Sequence, residues 1–96
     1  MAFVQVMEFE MEPSEAVRLA EEYVEESRGQ TYARRAVLGV DRNRPGTVIQ
    51  IIFFDSAEEA ELNNQLEITQ RSGEEFAKRA LEVKFTDVDV ITDITI

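Results

Sequence analysis

The side chains that offer the most chemistry are a few amides set among apolar neighbours. Asn64 falls on a predicted helix face with Ala57, Ala60 and Ile68. A buried amide needs hydrogen-bond partners, so Asn64 either bonds backbone groups across a helix–sheet gap or faces a ligand cavity. Gln50 interrupts an otherwise apolar strand, and the same two roles are open to it.

A second cluster lies at the start of another predicted strand, where Tyr32 is followed by Arg34 and Arg35. A guanidinium group binds a carboxylate in a bidentate manner, so these arginines either hold an acidic ligand or pair with glutamates and aspartates of the helices. We take Asn64, Gln50, Arg35 and Tyr32 as the candidate ligand-binding residues. No catalytic residue can be identified.

Composition excludes several function classes. The chain of 96 residues has no cysteine and no histidine, which rules out disulfides, thiolate nucleophiles, Ser-His-Asp triads and the usual zinc sites. We therefore predict no metal site, and the absence of a cofactor is an expectation that comes only from the family resemblance described below. The net charge of −10, from 20 acidic and 10 basic residues, repels phosphates and argues against nucleic-acid and membrane partners.

The sequence predicts neither a signal peptide nor a membrane-spanning helix. The first residues lack the basic region of a signal peptide, and no apolar run approaches the ~20 residues that a membrane-spanning helix needs. A cytoplasmic location is the expectation.

The chain is organised around a predicted central strand, 48–54, which follows the Pro45-Gly46 turn and is almost entirely apolar. Such a run is typical of a strand covered on both faces. Further strands are predicted at 3–9, 32–41 and 82–96. The strand at 32–41 forms a hairpin with the central strand, and a change of parity near Thr86 and Asp87 predicts a bulge in the last strand.

Two helices are predicted between these strands. The first spans 14–27 and follows Pro13, which suits a first helical turn. The second begins at Ser56, which with Glu59 forms a capping-box pattern, and breaks at Ser72 and Gly73.

The resulting order, β-α-β-β-α-β, predicts an α+β fold of the ferredoxin-like type in one domain, 1–96. Its four-stranded antiparallel sheet would carry both helices on one face. Since one helix layer cannot cover two sheet faces, we expect a homodimer, with a higher oligomer also open, in which two sheets pack together. Leu62 and Leu66 form a second apolar stripe for subunit contacts, and the tail beyond Ile91 is expected to pair with another chain's edge strand.

The turn Asn43-Arg44-Pro45-Gly46, the strand 48–54 and the block Asp55-Ser56-Ala57-Glu58-Glu59-Ala60 together resemble the dimeric α+β barrel superfamily, in particular proteins of the antibiotic-biosynthesis-monooxygenase type. The resemblance covers nearly the whole chain. It implies a ligand between sheet and helices, and cofactor-free oxidation of an aromatic or quinol substrate.

Two departures from that family pattern bear on function. Phe53 and Phe54 stand where many members have a Trp, and Asn64 stands where many have a His. Haem-degrading relatives depend on an Asn, Trp and His set, so haem degradation is not supported.

Two functions remain open from the sequence. One is binding, or cofactor-free oxidation or isomerisation, of an apolar aromatic small molecule; Asn64→Ala is then expected to abolish ligand binding. The other is a non-catalytic homodimeric interaction module, for which Leu62→Asp is expected to disrupt assembly.

Overall fold

A computed structural model describes residues 2–96. Its elements, in chain order, are β1 (Phe3–Glu10), α1 (Pro13–Glu26), β2 (Arg35–Val40), β3 (Thr47–Phe54), α2 (Ala57–Gln65), α3 (Glu67–Arg79) and β4 (Leu81–Asp89). Among residues 2–96, no helix is long and apolar enough to cross a membrane.

The four strands form one antiparallel sheet in the order β2-β3-β1-β4. β2 and β3 are a hairpin, closed by the turn in which Asp41 N–H donates to the Thr47 carbonyl oxygen at 2.9 Å. β1, first in the sequence, lies between β3 and β4. The connection from β1 to β2 therefore passes over β3, and the connection from β3 to β4 passes over β1. This arrangement confirms the predicted ferredoxin-like α+β fold.

The helix starts follow local sequence signals. Pro13 occupies the first turn of α1, where its missing N–H removes no hydrogen bond. Ser56 caps α2, its Oγ accepting the Glu59 N–H at 3.0 Å. The second bond of the predicted capping box, from the Ser56 N–H to the Glu59 carboxylate, is absent among residues 2–96. The Glu59 carboxylate instead forms an ion pair with the Arg34 guanidinium at 3.5 Å.

The predicted helix break lies elsewhere than expected. Ser72 and Gly73 are inside α3, and the interruption falls at Leu66, whose backbone is extended with φ −64° and ψ 136°. Leu66 ends α2 by donating its N–H to the Asn63 carbonyl oxygen, and it starts α3 by accepting the Gln70 N–H. The prediction of a break at Ser72 and Gly73 was therefore wrong.

The core lies between the helices and one face of the sheet. Phe9 and Val48 are almost fully buried, with 1% and 2% of their surface exposed, and they are cross-strand partners in the β1–β3 pair. The Phe76 ring of α3 meets the Phe9 ring edge-on, with centroids 4.7 Å apart. This contact fixes α3 against the sheet at one end.

Among residues 2–96, no helix covers the other face of the sheet. Val6, Ile49 and Ile51 lie on that face, and all three are only partly buried. Within the single chain, the helices therefore cover the central strand β3 on one face, and cover of its second face by another copy stays a prediction. The edge strand β2 is largely exposed, since Ala36, Val37 and Val40 are exposed and Leu38 is its one residue that packs against the core among residues 2–96.

The bulge in the last strand lies elsewhere than predicted. The register of β4 against β1 shifts between Glu8 and Glu10, opposite Glu82, which has a left-handed backbone with φ 52°. A residue in that conformation is typical of a bulge. The bulge predicted near Thr86 and Asp87 is absent, because both residues keep regular pairing with β1.

Candidate functional site

A cavity of about 880 Å³ lies between the inner face of the sheet and the helices α1 and α3. Its apolar walls come from alternate residues of the strands, which share one face because side chains alternate along a strand. The helices supply small side chains toward it, which leaves space between the layers. Apolar lining residues include Met7, Phe9, Ala16, Leu19, Ala20, Val24, Ile52, Phe54, Phe76, Ala77, Val83 and Phe85.

The cavity is free of carboxylates. The chain has 20 acidic residues, yet among residues 2–96 none lines the cavity. Its neutral polar side chains are amides and hydroxyls: Gln5, Gln50, Asn63, Asn64, Tyr23, Thr31, Thr69 and Ser72. Two arginines, Arg34 and Arg35, also line it. The site therefore combines an apolar body with neutral hydrogen-bonding groups and two cationic side chains.

The two arginines at the cavity border have other partners. The Arg34 guanidinium bonds Asp55 at 3.0 Å and Glu59 at 3.5 Å. The Arg35 guanidinium lies 5.3 Å from the centre of the Phe53 ring. Arg35 and Phe53 are cross-strand partners, and Phe53 belongs to the open face of the sheet. The charge of Arg35 is thus directed away from the cavity.

A hydrogen-bonded group of four side chains, Tyr23, Thr31, Asn63 and Thr69, forms one end of the cavity; we call it the polar end. Asn63 Oδ1 accepts the backbone N–H of Tyr32 and the hydroxyl of Thr31, both at 2.9 Å. Asn63 Nδ2 donates to the Tyr23 hydroxyl oxygen at 3.2 Å. The Tyr23 hydroxyl also lies 2.8 Å from Thr69 Oγ1.

The helix break at Leu66 assembles the polar end. Asn63 is in the last turn of α2, Thr69 is in the first turn of α3, and both reach Tyr23 near the end of α1. Since Leu66 changes the direction of the chain between them, side chains six residues apart meet at one hydroxyl.

Three of the four predicted ligand-binding residues, Gln50, Asn64 and Arg35, line the cavity. Gln50 and Asn64 both border the cavity, although Asn64 is exposed and its neighbour Asn63 is the buried amide, at 5% exposure. Arg35 contributes to the border while its guanidinium stacks on Phe53. Tyr32, outside the set of lining residues, meets the polar end through its backbone N–H.

Sequence reasoning missed Asn63, Tyr23, Thr31 and Thr69. The prediction that Asn64 is buried with Ala57, Ala60 and Ile68 requires one uninterrupted helix over these residues. In the structure Ala60 and Asn63 are buried together in α2 and Ile68 is buried in α3. The only available signal was the adjacency of two asparagines, which does not say which of them is inside.

The strongest ion pairs lie outside the cavity. The pKa of the Asp41 carboxyl is lowered by the backbone N–H of Asn43 and then by the Arg44 guanidinium, which also bonds Glu8 at 2.6 Å. The pKa of Glu75 is lowered by Arg79. Among residues 2–96 there is no group of three or more side chains that could hold a metal ion.

A scan against models of protein families finds no match, and a search of curated proteins finds none either. Solved structures with the same fold are found. SnoaB, a cofactor-independent oxygenase from Streptomyces nogalater, has a TM-score of 0.79 at 9% identity, covering 97% of this chain and 96% of its own.

Two further solved structures are similar over their full lengths. A candidate antibiotic biosynthesis monooxygenase from Deinococcus radiodurans has a TM-score of 0.77 at 11% identity, covering 98% of this chain and 97% of its own. Rv0793 from Mycobacterium tuberculosis has a TM-score of 0.76 at 13% identity, covering 99% and 100%. Structural neighbours thus include antibiotic-biosynthesis-monooxygenase-like proteins, and at these identities the likeness establishes the shared fold.

Proposed function

We propose that the protein binds a neutral, largely apolar small molecule in the cavity between the sheet and the helices. The observation that carries this proposal is the lining: apolar walls, four amides, several hydroxyls and two arginines with other partners, without a carboxylate among residues 2–96. Amides and hydroxyls orient a ligand without requiring it to carry a charge.

The dimensions of the cavity agree with this class of ligand. Small-molecule sites commonly measure about 300–1,000 Å³ and are mostly apolar with a few polar groups that fix orientation. The volume here, about 880 Å³, lies in the upper part of that range. Because the lining is mostly apolar, a tricyclic hydrocarbon is a suitable first ligand to test.

Electrostatics favour a neutral ligand over an anion. Arg34 is engaged by Asp55 and Glu59, and Arg35 is directed to the other face of the sheet. An anion in the cavity would lose its hydration without gaining a free cation, within a protein whose net charge is −10.

The proposal is tested by comparing fluorene with fluorene-9-carboxylate, which share a tricyclic body and differ by one charge. We expect fluorene to bind, with the carboxylate at least about tenfold weaker because its desolvation is not compensated. Titration followed by ligand fluorescence gives both affinities. Equal or tighter binding of the carboxylate, or absence of fluorene binding, would contradict the proposal.

Cofactor-free oxidation is the reaction we propose to test on any ligand that binds. SnoaB, which shares the fold, is a cofactor-independent oxygenase. The balanced conversion is that of an activated CH₂ group and O₂ into a C=O group and water, so the ligand itself supplies the electrons. Oxygen uptake that requires both protein and ligand, with one carbonyl formed per O₂ consumed, would support it; uptake equal to the protein-free rate would count against it.

A homodimeric interaction module is the second candidate, favoured by the open face of the sheet. Val4, Val6, Ile49, Ile51 and Phe53 form an apolar surface there that is only partly buried in the single chain. A second copy packed sheet to sheet would cover it. The exposed tail at 91–96, with Ile91, Ile94 and Ile96, adds apolar surface that we propose pairs with the other chain.

Mutations can distinguish the small-molecule binding function from the homodimeric interaction module. Ile51→Lys places a charge at the centre of the open face, away from the cavity, and is expected to convert a dimer to a monomer in light scattering. Leu62→Asp, on the exposed side of α2, tests the predicted helix contact in the same way. Wild-type protein that is monomeric at high micromolar concentration would contradict the dimer. Fluorene binding in a stable Ile51→Lys monomer would show that the cavity acts alone.

A further inference from the structure

Two hydroxyls at the polar end, those of Tyr23 and Thr69, have one more proton than their short hydrogen bond uses. We infer that the Tyr23–Thr69 hydroxyl pair presents this proton to the cavity, and that the ligand carries a complementary acceptor oxygen such as a ketone or quinone carbonyl. The inference rests on the proposed function, namely that the cavity binds a neutral apolar molecule.

The orientation of the Asn63 amide is the first step. The atom 2.9 Å from the backbone N–H of Tyr32 must be an acceptor, because a backbone N–H can only donate. That atom is therefore Oδ1, and Nδ2 faces the Tyr23 hydroxyl oxygen at 3.2 Å. Since Nδ2 can only donate, one lone pair of the Tyr23 oxygen is occupied.

The hydroxyl of Thr31 is already committed. It donates to Asn63 Oδ1 at 2.9 Å and accepts the backbone N–H of Ala33 at 3.1 Å. Its proton is unavailable to a ligand, and its contact with Tyr23 is longer, at 3.3 Å. The 2.8 Å bond between Tyr23 and Thr69 is thus the only short bond of the polar end whose direction is free.

Counting protons on that pair leaves one over. If Tyr23 donates to Thr69, the Thr69 proton is left. If Thr69 donates to Tyr23, the Tyr23 proton has only a long contact of 3.4 Å to Asn63 Oδ1, which already accepts two hydrogen bonds at 2.9 Å. In both arrangements one O–H remains without a short hydrogen bond, and a second amide proton remains on Asn63 Nδ2, which has Tyr23 as its one hydrogen-bond partner among residues 2–96. The polar end is therefore rich in donors, and a donor aimed into an apolar cavity selects an acceptor.

Fluorenone and fluorene test the inference, since they differ only in a carbonyl in place of CH₂. We expect wild-type protein to bind fluorenone about five- to tenfold tighter than fluorene, the value of one added hydrogen bond. The carbonyl stretch of bound fluorenone should lie at lower wavenumber than in hexane, because a hydrogen bond weakens the C=O bond.

The decisive variant is Tyr23→Phe with Thr69→Val, which removes both hydroxyls and nearly keeps the shape of the side chains. In it, fluorene should still bind, the preference for fluorenone should fall to within about twofold, and the carbonyl stretch should return to its hexane position. Ser14→Ala removes an exposed hydroxyl outside the cavity, where it bonds the Glu12 carboxylate, and should leave the preference unchanged. The single variant Thr69→Val keeps Tyr23 and its bond to Asn63, so the Tyr23 proton is free for the ligand and the preference for fluorenone should be retained. This variant is the one to measure if the double variant fails to fold, and loss of the preference in it would contradict the inference.

Each outcome decides the inference. Fluorenone preferred by the wild type and not by the double variant supports it. A hexane-like stretch in the wild type, the same preference in both proteins, or a preference lost equally in Ser14→Ala overturns it while leaving the cavity's ligand-binding role intact. If neither compound binds the wild type, the proposed function and the inference both fail.

Discussion

The amide oxygen of Asn63 accepts the backbone N–H of Tyr32 at 2.9 Å, joining the last turn of α2 to the segment that leads into β2. The same oxygen accepts the Thr31 hydroxyl, so both of its lone pairs are used. This contact fixes the amide, and through it the direction of the hydrogen bond to Tyr23. It is also a stability element, since Asn63 is one of two buried polar residues among residues 2–96.

Asn63→Ala should be strongly destabilising, and the same change at its neighbour should not. Loss of the amide leaves the Tyr32 N–H and the Thr31 hydroxyl without their acceptor in a buried place, at a cost of about 2–4 kcal/mol in the free energy of unfolding. Asn64 is exposed, so Asn64→Ala should stay within about 0.5 kcal/mol, although we expect it to weaken ligand binding. Urea unfolding of the two variants tests this, and equal effects would show that the polar end contributes little.

Ser56→Ala should lower the free energy of unfolding by about 1 kcal/mol, the usual value of a helix N-cap. The Ser56 hydroxyl oxygen accepts the Glu59 N–H at 3.0 Å, and alanine leaves that N–H without a partner. Ser14→Ala is the matched control, because Ser14 bonds only the Glu12 carboxylate, at 3.4 Å on the surface. Denaturation curves that coincide for the two variants would refute the capping role.

Asp41→Asn should destabilise the protein at neutral pH and lose its effect in acid. The pKa of Asp41 is lowered in the folded protein by the Asn43 N–H and by Arg44. Because this pKa is lowered, the ionised Asp41 carboxylate stabilises the folded protein fully above the usual carboxyl pKa of about 3.9. This stabilisation is lost as the pH falls through the pKa that Asp41 has in the folded protein. The Tm difference between wild type and variant should therefore shrink below about pH 4.

Glu21→Gln controls for the change in net charge, since Glu21 makes no ion pair among residues 2–96 and is exposed. At pH 7 it should lower Tm less than Asp41→Asn does. A Tm difference for Asp41→Asn that is constant from about pH 3 to 7 would contradict the linkage argument.

Much of the fold could be predicted because its signals are local. The Pro45-Gly46 turn, the apolar run that follows it and the Ser56 cap each specify one connection or boundary, and together with the strand at 3–9 they give the order of elements. The α+β ferredoxin-like prediction was confirmed in the sheet order β2-β3-β1-β4.

The site was harder to predict because it depends on two backbone departures without a local signal. Leucine is a good helix former, yet Leu66 has an extended backbone that separates α2 from α3. This break determines which side of α2 is buried, and Asn63 lies on that side. Glu82 has a positive φ where no glycine or asparagine announces a bulge. Conversely, Ser72 and Gly73 suggest a break, but α3 continues through them because Phe76 and Arg79 anchor it to Phe9 and Glu15.

Filling the cavity from Gly73 tests the central claim most directly. Gly73 lines the cavity within α3, and a Cβ added there meets nothing within 4 Å. Gly73→Ala should stabilise α3 by about 0.5–1 kcal/mol and keep fluorene affinity within about twofold, whereas Gly73→Leu should fold as well and weaken fluorene by at least about tenfold because its side chain occupies the ligand's space. Fluorene that binds a folded Gly73→Leu protein as tightly as the wild type would show that the ligand site lies elsewhere.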